Sequence, residues 1–251
     1  MKLLLRWLGI LLLAVLALQI YFVGRIALMA VVTPQSTAFA RSEAWRLLNE
    51  KDGLRWRQAW VDYAQISDHL KRAVIASEDD GFASHDGVDW DALEKAWEKN
   101  AKAEAQAAKR QTVAPPRAKP GALAPVKPPK VVGGSTITQQ LAKNLFLSGE
   151  RTLLRKGQEI VLTFALERLL SKRRILEIYL NSVEWGEGVF VAEAAAQHYF
   201  RKPAAKLSAF EAARLAVMLP RPKHFEKLPN SGYLASRAGT IAGRMGGAEL
   251  P

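Results

Sequence analysis

The sequence predicts a mainly α-helical domain that follows a single N-terminal transmembrane helix. No segment shows a sustained alternation of apolar and polar residues, so we expect any β-hairpin to be small. Several segments instead combine apolar residues at helical spacing with helix-capping residues at their starts. The length of 251 residues allows one sizeable domain with appendages, or two small ones.

Residues 1–40 form the predicted membrane anchor. From Trp7 to Val23 the only polar side chain is Gln19, and about 20 apolar residues suffice to cross a bilayer core. Two basic residues precede this span, which places the N-terminus on the cytoplasmic side by the positive-inside rule. The rest of the chain then lies on the opposite side of the membrane.

A cleaved signal peptide is the alternative interpretation of the same segment. Residues 38–40 read Ala-Phe-Ala, which has the small-x-small form of a cleavage site. The apolar core is longer than that of signal peptides, and the tripeptide lies well past its end. We therefore expect an uncleaved anchor, followed by one domain over residues 41–251.

Several helices are predicted within that domain. They run from Ser42 to Asn49, from a Ser67 cap over Asp68 to Ala76, from an Asp89 cap to about Ala103, from a Thr136 cap onward, from Thr152 to Leu170, from Lys172 to Leu180, and from a Ser208 cap to a stop before Pro220. In the helix over 152–170 we expect five apolar residues to face the core: Leu153, Ile160, Phe164, Ala165 and Leu169.

The composition changes after the Asp89-capped helix. Residues 101–130 contain six of the twelve prolines and seven Lys or Arg against one Glu, which is +6 of the net charge of +12. A basic, proline-rich stretch with few large apolar groups cannot offset its ordering entropy by burial. We expect a flexible Pro/Lys-rich insert over 104–130.

The composition also limits the chemistry. The chain has no cysteine, which excludes disulfides, thiolate catalysis and cysteine-based metal sites. No His-x-x-x-His spacing is present, and Gly186-x-Gly188 lacks the rest of a dinucleotide fingerprint. The basic balance favours anionic partners.

Residues 74–91 hold six acidic side chains, one histidine and two glycines. A helix that delivers a carboxylate cluster into a glycine-containing loop is a candidate acid/base or cation site. A solvated acidic turn is the alternative. Further along, Gly133-Gly134 precedes a capped helix start that can receive an anion. Glu159 follows two cations at helical contact spacing, which also suits a purely structural ion pair.

Four sequence blocks resemble, in order and spacing, the signatures of one known family. They are Glu78-Asp79-x-x-Phe82-x-x-His85-x-Gly87-x-Asp89, Gly133-Gly134-Ser135-Thr136-Ile137-Thr138-Gln139-Gln140-Leu141-x-Lys143-Asn144, Arg155-Lys156-x-x-Glu159, and Lys172-x-x-Ile175-Leu176-Glu177-x-Tyr179-Leu180-Asn181. The family is the peptidoglycan glycosyltransferases of family 51. The single anchor and the lack of a Ser-x-x-Lys nucleophile motif resemble its monofunctional form.

The resemblance implies a lysozyme-like helical fold and a specific reaction. The growing glycan on undecaprenyl pyrophosphate is the donor, and the 4-hydroxyl of lipid II attacks its anomeric carbon with inversion to form a β-1,4 bond. A sugar hydroxyl needs a base, for which Glu78 is the candidate. The departing pyrophosphate needs cations or oriented donors. Glu159 matches the second functional carboxylate of the family, and it organises the cations or helps to hold a divalent ion.

The remaining site residues follow from the same blocks. The expected substrate-binding residues are Ser135, Thr136, Gln140, Lys143, Asn144, Arg151, Arg155 and Lys156. Lys143 and Arg151 match the phosphate-contacting positions, and Ser135, Thr136 and Gln140 shape the second-block loop. No metal-ligand set is predicted. The expected cofactor is at most a divalent cation, Mg²⁺ or Mn²⁺, with no organic cofactor.

The resemblance also sets the expected location and partners. We expect a single-pass protein of the bacterial inner membrane with its catalytic domain on the periplasmic side. Its partners would be lipid II, the growing glycan chain, membrane lipids and cell-wall synthesis or division proteins, with no nucleic acid. A lysozyme-like glycan-cleaving enzyme and a membrane-anchored basic binding module are the alternatives.

Two positions depart from the family pattern. Gly81 stands where relatives often place a longer polar residue, and Val191 stands where they commonly have glycine.

Overall fold

The computed structural model describes residues 1–50, 56–112, 133–150 and 152–251. The chain forms two compact units, one of Met1–Val88 with Thr136–Pro251 and one of Asp89–Ser135. The larger unit contains α1 (Lys2–Leu28), α2 (Ala38–Glu50), α3 (Asp68–Glu78), α5 (Ile137–Phe146), α6 (Leu153–Leu169), α7 (Lys172–Leu180), β1 (Glu184–Gly186), β2 (Val189–Phe190), α8 (Ala192–Phe200), α9 (Ala209–Met218), α10 (Pro222–Phe225) and α11 (Gly232–Arg244). The smaller unit contains α4 (Trp90–Thr112). The predicted mainly α-helical class is confirmed.

Helix α1 is long and apolar enough to cross a membrane, by length and composition, and is the one such helix in the described parts of the chain. Its 27 residues span about 40 Å at the usual rise per residue. Nearly all its side chains up to Leu18 are exposed to the surroundings. The last third of the helix is less exposed, because Ile26 is fully buried against the rest of the unit.

Three helices each contribute five or six buried apolar residues to the core of the larger unit. Helix α3 buries consecutive apolar residues, among them Leu70 and Ile75, because other elements surround it. In α7 every residue from Ile175 to Leu180 is buried. Helix α9 presents alanines to α3 and α11, and these small side chains allow close packing.

The predicted caps are present. Ser67 accepts from Leu70 N, and Thr136 and Ser208 form capping boxes with Gln139 and Glu211. Each box satisfies backbone N–H groups that the first helical turn leaves without intrahelical partners.

The predicted core face of α6 is wrong in part. Leu153 is 92% exposed, and Phe164 and Leu169 are also exposed. The buried residues are instead Glu159, Leu162, Thr163 and Leu166. Apolar residues occur around the whole circumference of α6, so their spacing alone could not identify the face that packs on α5.

The predicted small hairpin is confirmed. Strands β1 and β2 pair antiparallel, with Glu184 opposite Phe190. Val191, which follows β2, is fully buried and has φ of +78°. A β-branched residue is rarely found there, because its side chain crowds the backbone. This strain explains why glycine suits the position.

The smaller unit is organised by α4. Asp89 Oδ1 accepts from Ala92 N at 2.8 Å, which confirms the predicted cap. The helix continues to Thr112, nine residues past its predicted end near Ala103. The first residues of the expected 104–130 insert are therefore helical, because the alanine-rich stretch before its prolines favours a helix. The rest of that insert, from residue 113 onward, lies outside the described residues.

Candidate active site

Glu78 is the last residue of α3 and is half-buried. Gln140 Nε2 donates to its Oε2 at 3.2 Å, and Ser77 Oγ donates to its Oε1 at 3.3 Å. Burial raises the pKa of the Glu78 carboxyl, while the hydrogen bonds from Gln140 and Ser77 partly lower it. A carboxylate with a raised pKa and fixed donors has the properties of a general base.

Tyr179 sets the orientation of the Gln140 amide. Its hydroxyl donates to Gln140 Oε1 at 3.0 Å, so the NH₂ of the amide faces Glu78. Tyr179 is fully buried. Burial, together with the charges of Glu78 and Asp79, raises the pKa of Tyr179 well above its usual value. The hydroxyl therefore stays protonated and remains a donor.

Asp79 joins the loop after α3 to the start of α5. Its Oδ2 accepts from Ile137 N at 2.9 Å, and its Oδ1 lies 2.8 Å from His85 Nε2. Gly87 N donates to His85 Nδ1 at 3.1 Å, so the neutral ring carries its proton on Nε2 and donates it to Asp79. Asp79 thus caps α5 and orders the loop, rather than acting as a second base.

The same loop is also tied by Thr136 and Gly87. Thr136 Oγ1 donates to Gly87 O at 2.6 Å, in addition to its capping role. Gly87 has φ of +89°, and a Cβ there would lie 2.7 Å from both Thr163 Cγ2 and Glu167 Cγ. Only glycine fits this close approach of the loop to α6.

The charged side chain of Lys172 also holds the loop after α3. Lys172 Nζ donates to His85 O and to Glu167 Oε1, the latter at 2.9 Å. Thr138 Oγ1 donates to the same Glu167 oxygen. The Lys172 ammonium also lies 4.7 Å from the centre of the Phe82 ring. These contacts join the start of α5 to the end of α6.

Glu159 is buried between two cations of its own helix. Arg155 Nη1 donates to Glu159 Oε2 at 2.8 Å, and Lys156 Nζ contacts Oε1. The three side chains carry a net charge of +1. Glu159 therefore holds two cations side by side, and its role in the reaction stays a prediction.

Lys143 and Asn144 lie on α5, three and four residues after Gln140, and so on the same side of that helix. Helix α6 begins seven residues after α5 ends, and Thr138 near the start of α5 contacts Glu167 near the end of α6, so the two helices run antiparallel. Glu159 is about 12 Å along α6 from that contact, and Lys143 and Asn144 are about 8–9 Å along α5 in the same direction. Glu159 thus lies within about one helical turn of Lys143 and Asn144 along the hairpin, and Arg155 and Lys156 lie about one turn further along α6.

The described residues do not assign two predicted site residues to this arrangement. Ser135 is exposed and belongs to the smaller unit. Arg151 lies outside the described residues. Both stay predictions.

The described residues do not fit a protein-built metal site. They contain no group of three or more His, Asp or Glu side chains that could hold an ion. Both carboxylate oxygens of Glu159 are engaged by cations. The expected divalent cation stays a prediction, and no step below depends on it.

Three residues of the fourth signature block make contacts that the sequence did not indicate. Tyr179 orients Gln140, as described above. Glu177 Oε1 accepts from Tyr63 N at 2.9 Å, and Asn181 Oδ1 accepts from Val61 N at 3.1 Å. The sequence marked these three residues only by their place in a signature block. It could not identify their contacts, because the partners are more than 100 residues away in the chain or on another helix.

The chain is similar to known proteins of one family. The sequence model of a protein family described as Transglycosylase matches residues 46–246 of the chain. The chain is 54% identical over 250 residues to a biosynthetic peptidoglycan transglycosylase of Burkholderia thailandensis, covering 98% of this chain and 88% of that protein. It is 49% identical over 250 residues to one of Paraburkholderia phytofirmans, covering 98% and 94%.

Proposed function

The chain belongs to the transglycosylase family and is a peptidoglycan glycosyltransferase of cell-wall synthesis, and from this premise we propose how its residues act. The enzyme polymerises lipid II into β-1,4-linked glycan strands with inversion and releases undecaprenyl pyrophosphate. Glu78 is the base, and the cations of α5 and α6 receive the pyrophosphate. Family membership decides against the binding module, and the relatives' name, biosynthetic transglycosylase, favours the synthase over a glycan-cleaving enzyme.

Glu78 acts on the acceptor sugar. It removes the proton from the 4-hydroxyl of the incoming N-acetylglucosamine as O4 forms its bond to the anomeric carbon of the donor. The bond from that carbon to the phosphate oxygen breaks, and its electron pair stays on the pyrophosphate. One displacement with inversion needs no covalent enzyme intermediate. The observation that carries this assignment is the fixed contact of Gln140 with Glu78, oriented by Tyr179.

The pyrophosphate gains charge as the bond breaks. Arg155 and Lys156 are held in place by Glu159 before substrate arrives, so little reorganisation is needed during the reaction. Lys143 and Asn144 stand within about a turn of Glu159 along the hairpin, and about two turns from Arg155 and Lys156. Ser135, Thr136 and Arg151 complete the proposed substrate-binding set, with Thr136 acting through the loop that it ties.

The proposed location follows from α1. Its apolar length fits a single crossing of the bacterial inner membrane, and Lys2 and Arg6 favour a cytoplasmic N-terminus. The catalytic domain then lies on the periplasmic side, where it meets lipid II, the growing chain and membrane lipids. Cell-wall synthesis or division proteins are the proposed protein partners.

The test is polymerisation of purified lipid II by the full chain in liposomes. The wild type should form β-1,4 glycan and release undecaprenyl pyrophosphate. Glu159→Gln should lower the rate by about 10–100-fold, because Arg155 and Lys156 lose the charge that positions them. Exposed Glu249→Gln is the matched control. Cleavage of added glycan without any polymer would refute the proposed function.

A further inference from the structure

Gln19 is the polar residue of the apolar span, and it is paired. Its Nε2 donates to Gln158 Oε1 at 2.9 Å, and Gln158 Nε2 donates back to Gln19 Oε1 at 3.0 Å. The two amides thus satisfy each other in a reciprocal contact between α1 and α6. An amide near the hydrocarbon without such a partner is costly, so the contact selects one register of the two helices.

The contact continues along one face of α1. Phe22, Ile26 and Met29 follow Gln19 by three, seven and ten residues, which is a single helical stripe. The Phe22 ring lies 5.3 Å from that of Phe146 at the end of α5. Ile26 and Met29 are buried, and Arg174 Nε donates to Met29 O at 2.8 Å. The last third of α1 is therefore docked on the domain.

The turn of α6 that contacts α1 is also the turn that carries the cations. Gln158 precedes Glu159 by one residue and follows Arg155 and Lys156 by three and two. Leu153 and Leu154, one turn earlier, are 92% and 87% exposed. An exposed apolar end beside a charged cluster is suited to the boundary between acyl chains and headgroups.

We propose that the Gln19–Gln158 contact fixes the depth of the Arg155–Lys156–Glu159 cluster relative to the membrane, which makes Gln19 and Gln158 positioning residues for polymerisation. This inference rests on the proposed function and location, because the cations must reach the diphosphate of a donor that is itself held in the membrane. Gln19 lies 13 residues after Arg6, about 20 Å along α1. The anchor therefore sets the distance between the inner face of the membrane and the turn of α6 that carries the cations.

The first test compares two media with the full chain. In liposomes containing lipid II, Gln19→Leu should insert normally and lower kcat about fivefold, equivalent to ~1 kcal/mol. In detergent micelles, where there is no fixed headgroup plane, the loss should be less than about twofold by the same reasoning. Gln158→Leu should behave in the same way. Ile20→Leu, at an exposed neighbouring position, is the control.

The measured rates distinguish the positioning role of Gln19 from the proposed function. Equal kcat of Gln19→Leu and wild type in liposomes would overturn the positioning role. So would an equal loss in liposomes and micelles, which indicates a purely structural defect. No polymer from the wild type in either medium would instead refute the proposed function.

A second test uses the absence of cysteine from the chain. The Gln19 and Gln158 side chains meet at their ends, so the two shorter cysteines of Gln19→Cys/Gln158→Cys leave a gap between them. A short bismaleimide spans this gap better than a disulfide does. The linked full chain in liposomes should keep its polymerising activity. Leu12→Cys/Gln158→Cys, two turns earlier on α1, should not be linked. Loss of activity on linking the first pair would contradict a docked working state.

Discussion

At the scale of single residues, the Glu78 carboxylate is controlled by a chain of two hydrogen bonds. Tyr179 donates to Gln140, and Gln140 donates to Glu78. Each donor favours the ionised base, while burial opposes it and raises its pKa. The balance keeps the pKa of the base between that of a solvated carboxyl and that of an unassisted buried one.

Gln140→Leu should shift the acid limb of the pH–rate profile upward. The variant lacks the donor that lowers the pKa of Glu78, so the base is protonated at a higher pH and is inactive there. We expect kcat to fall about tenfold at pH 6 and less at pH 8. Polymerisation rates from pH 5 to 9 check this. Gln197→Leu, at an exposed site on α8, should keep the wild-type profile, and a downward shift in Gln140→Leu would contradict the account.

Glu184 is a second buried carboxyl, outside the proposed site. Burial raises its pKa to about 7, while Lys223 lowers it and Glu43 on α2 raises it. Its Oε1 makes no hydrogen bond to any described residue, although Lys223 Nζ lies 3.3 Å away. Ionising this group therefore opposes folding.

Stability should consequently decrease as the pH rises through 7. The pKa of Glu184 is about 7 in the folded chain and near 4.5 when unfolded, so its penalty is absent below pH 4.5 and complete above pH 7. Glu184→Gln should raise the free energy of unfolding by up to about 3 kcal/mol at pH 8 and little at pH 5. Thermal unfolding at both pH values measures this, with exposed Glu50→Gln as control. Equal effects at the two values would disprove the assignment.

At the scale of elements, the caps and the loops were predictable to different degrees. Ser67, Thr136 and Ser208 cap their helices where the local sequence predicted, because a cap depends on residues within one turn. The buried face of α6 was not predictable. It depends on where α5 and α1 pack, and those contacts come from distant parts of the chain.

The loop between α3 and α4 depends on Gly87 for its approach to α6. Gly87→Ala introduces a Cβ that would lie 2.7 Å from two α6 side-chain atoms, at φ of +89°. We expect the free energy of unfolding to fall by about 2–4 kcal/mol, with a loss of activity because Asp79 and His85 share the loop. Gly239→Ala, inside α11 with open space around it, should instead stabilise by about 0.5–1 kcal/mol. Thermal unfolding of both variants is the measurement, and equal effects would show that the loop adapts.

At the scale of the whole molecule, four signature blocks were enough to predict the family and the candidate base. The blocks could not indicate that Tyr179 of the fourth meets Gln140 of the second, because that contact joins two helices. The anchor was predictable from its apolar length. Its docking through Gln19 was not, since Gln158 is 139 residues away.

The rate of lipid II polymerisation by full-length Glu78→Gln tests directly whether Glu78 is the base. The substitution keeps the size of the side chain and removes its ability to accept a proton. We expect a loss of about 10²–10⁴-fold in kcat, with thermal unfolding at or above the wild-type temperature because burial raises the pKa of Glu78 and so opposes its ionised form, while Glu249→Gln polymerises at the wild-type rate. Near wild-type polymerisation by Glu78→Gln would contradict the assignment of Glu78 as the base.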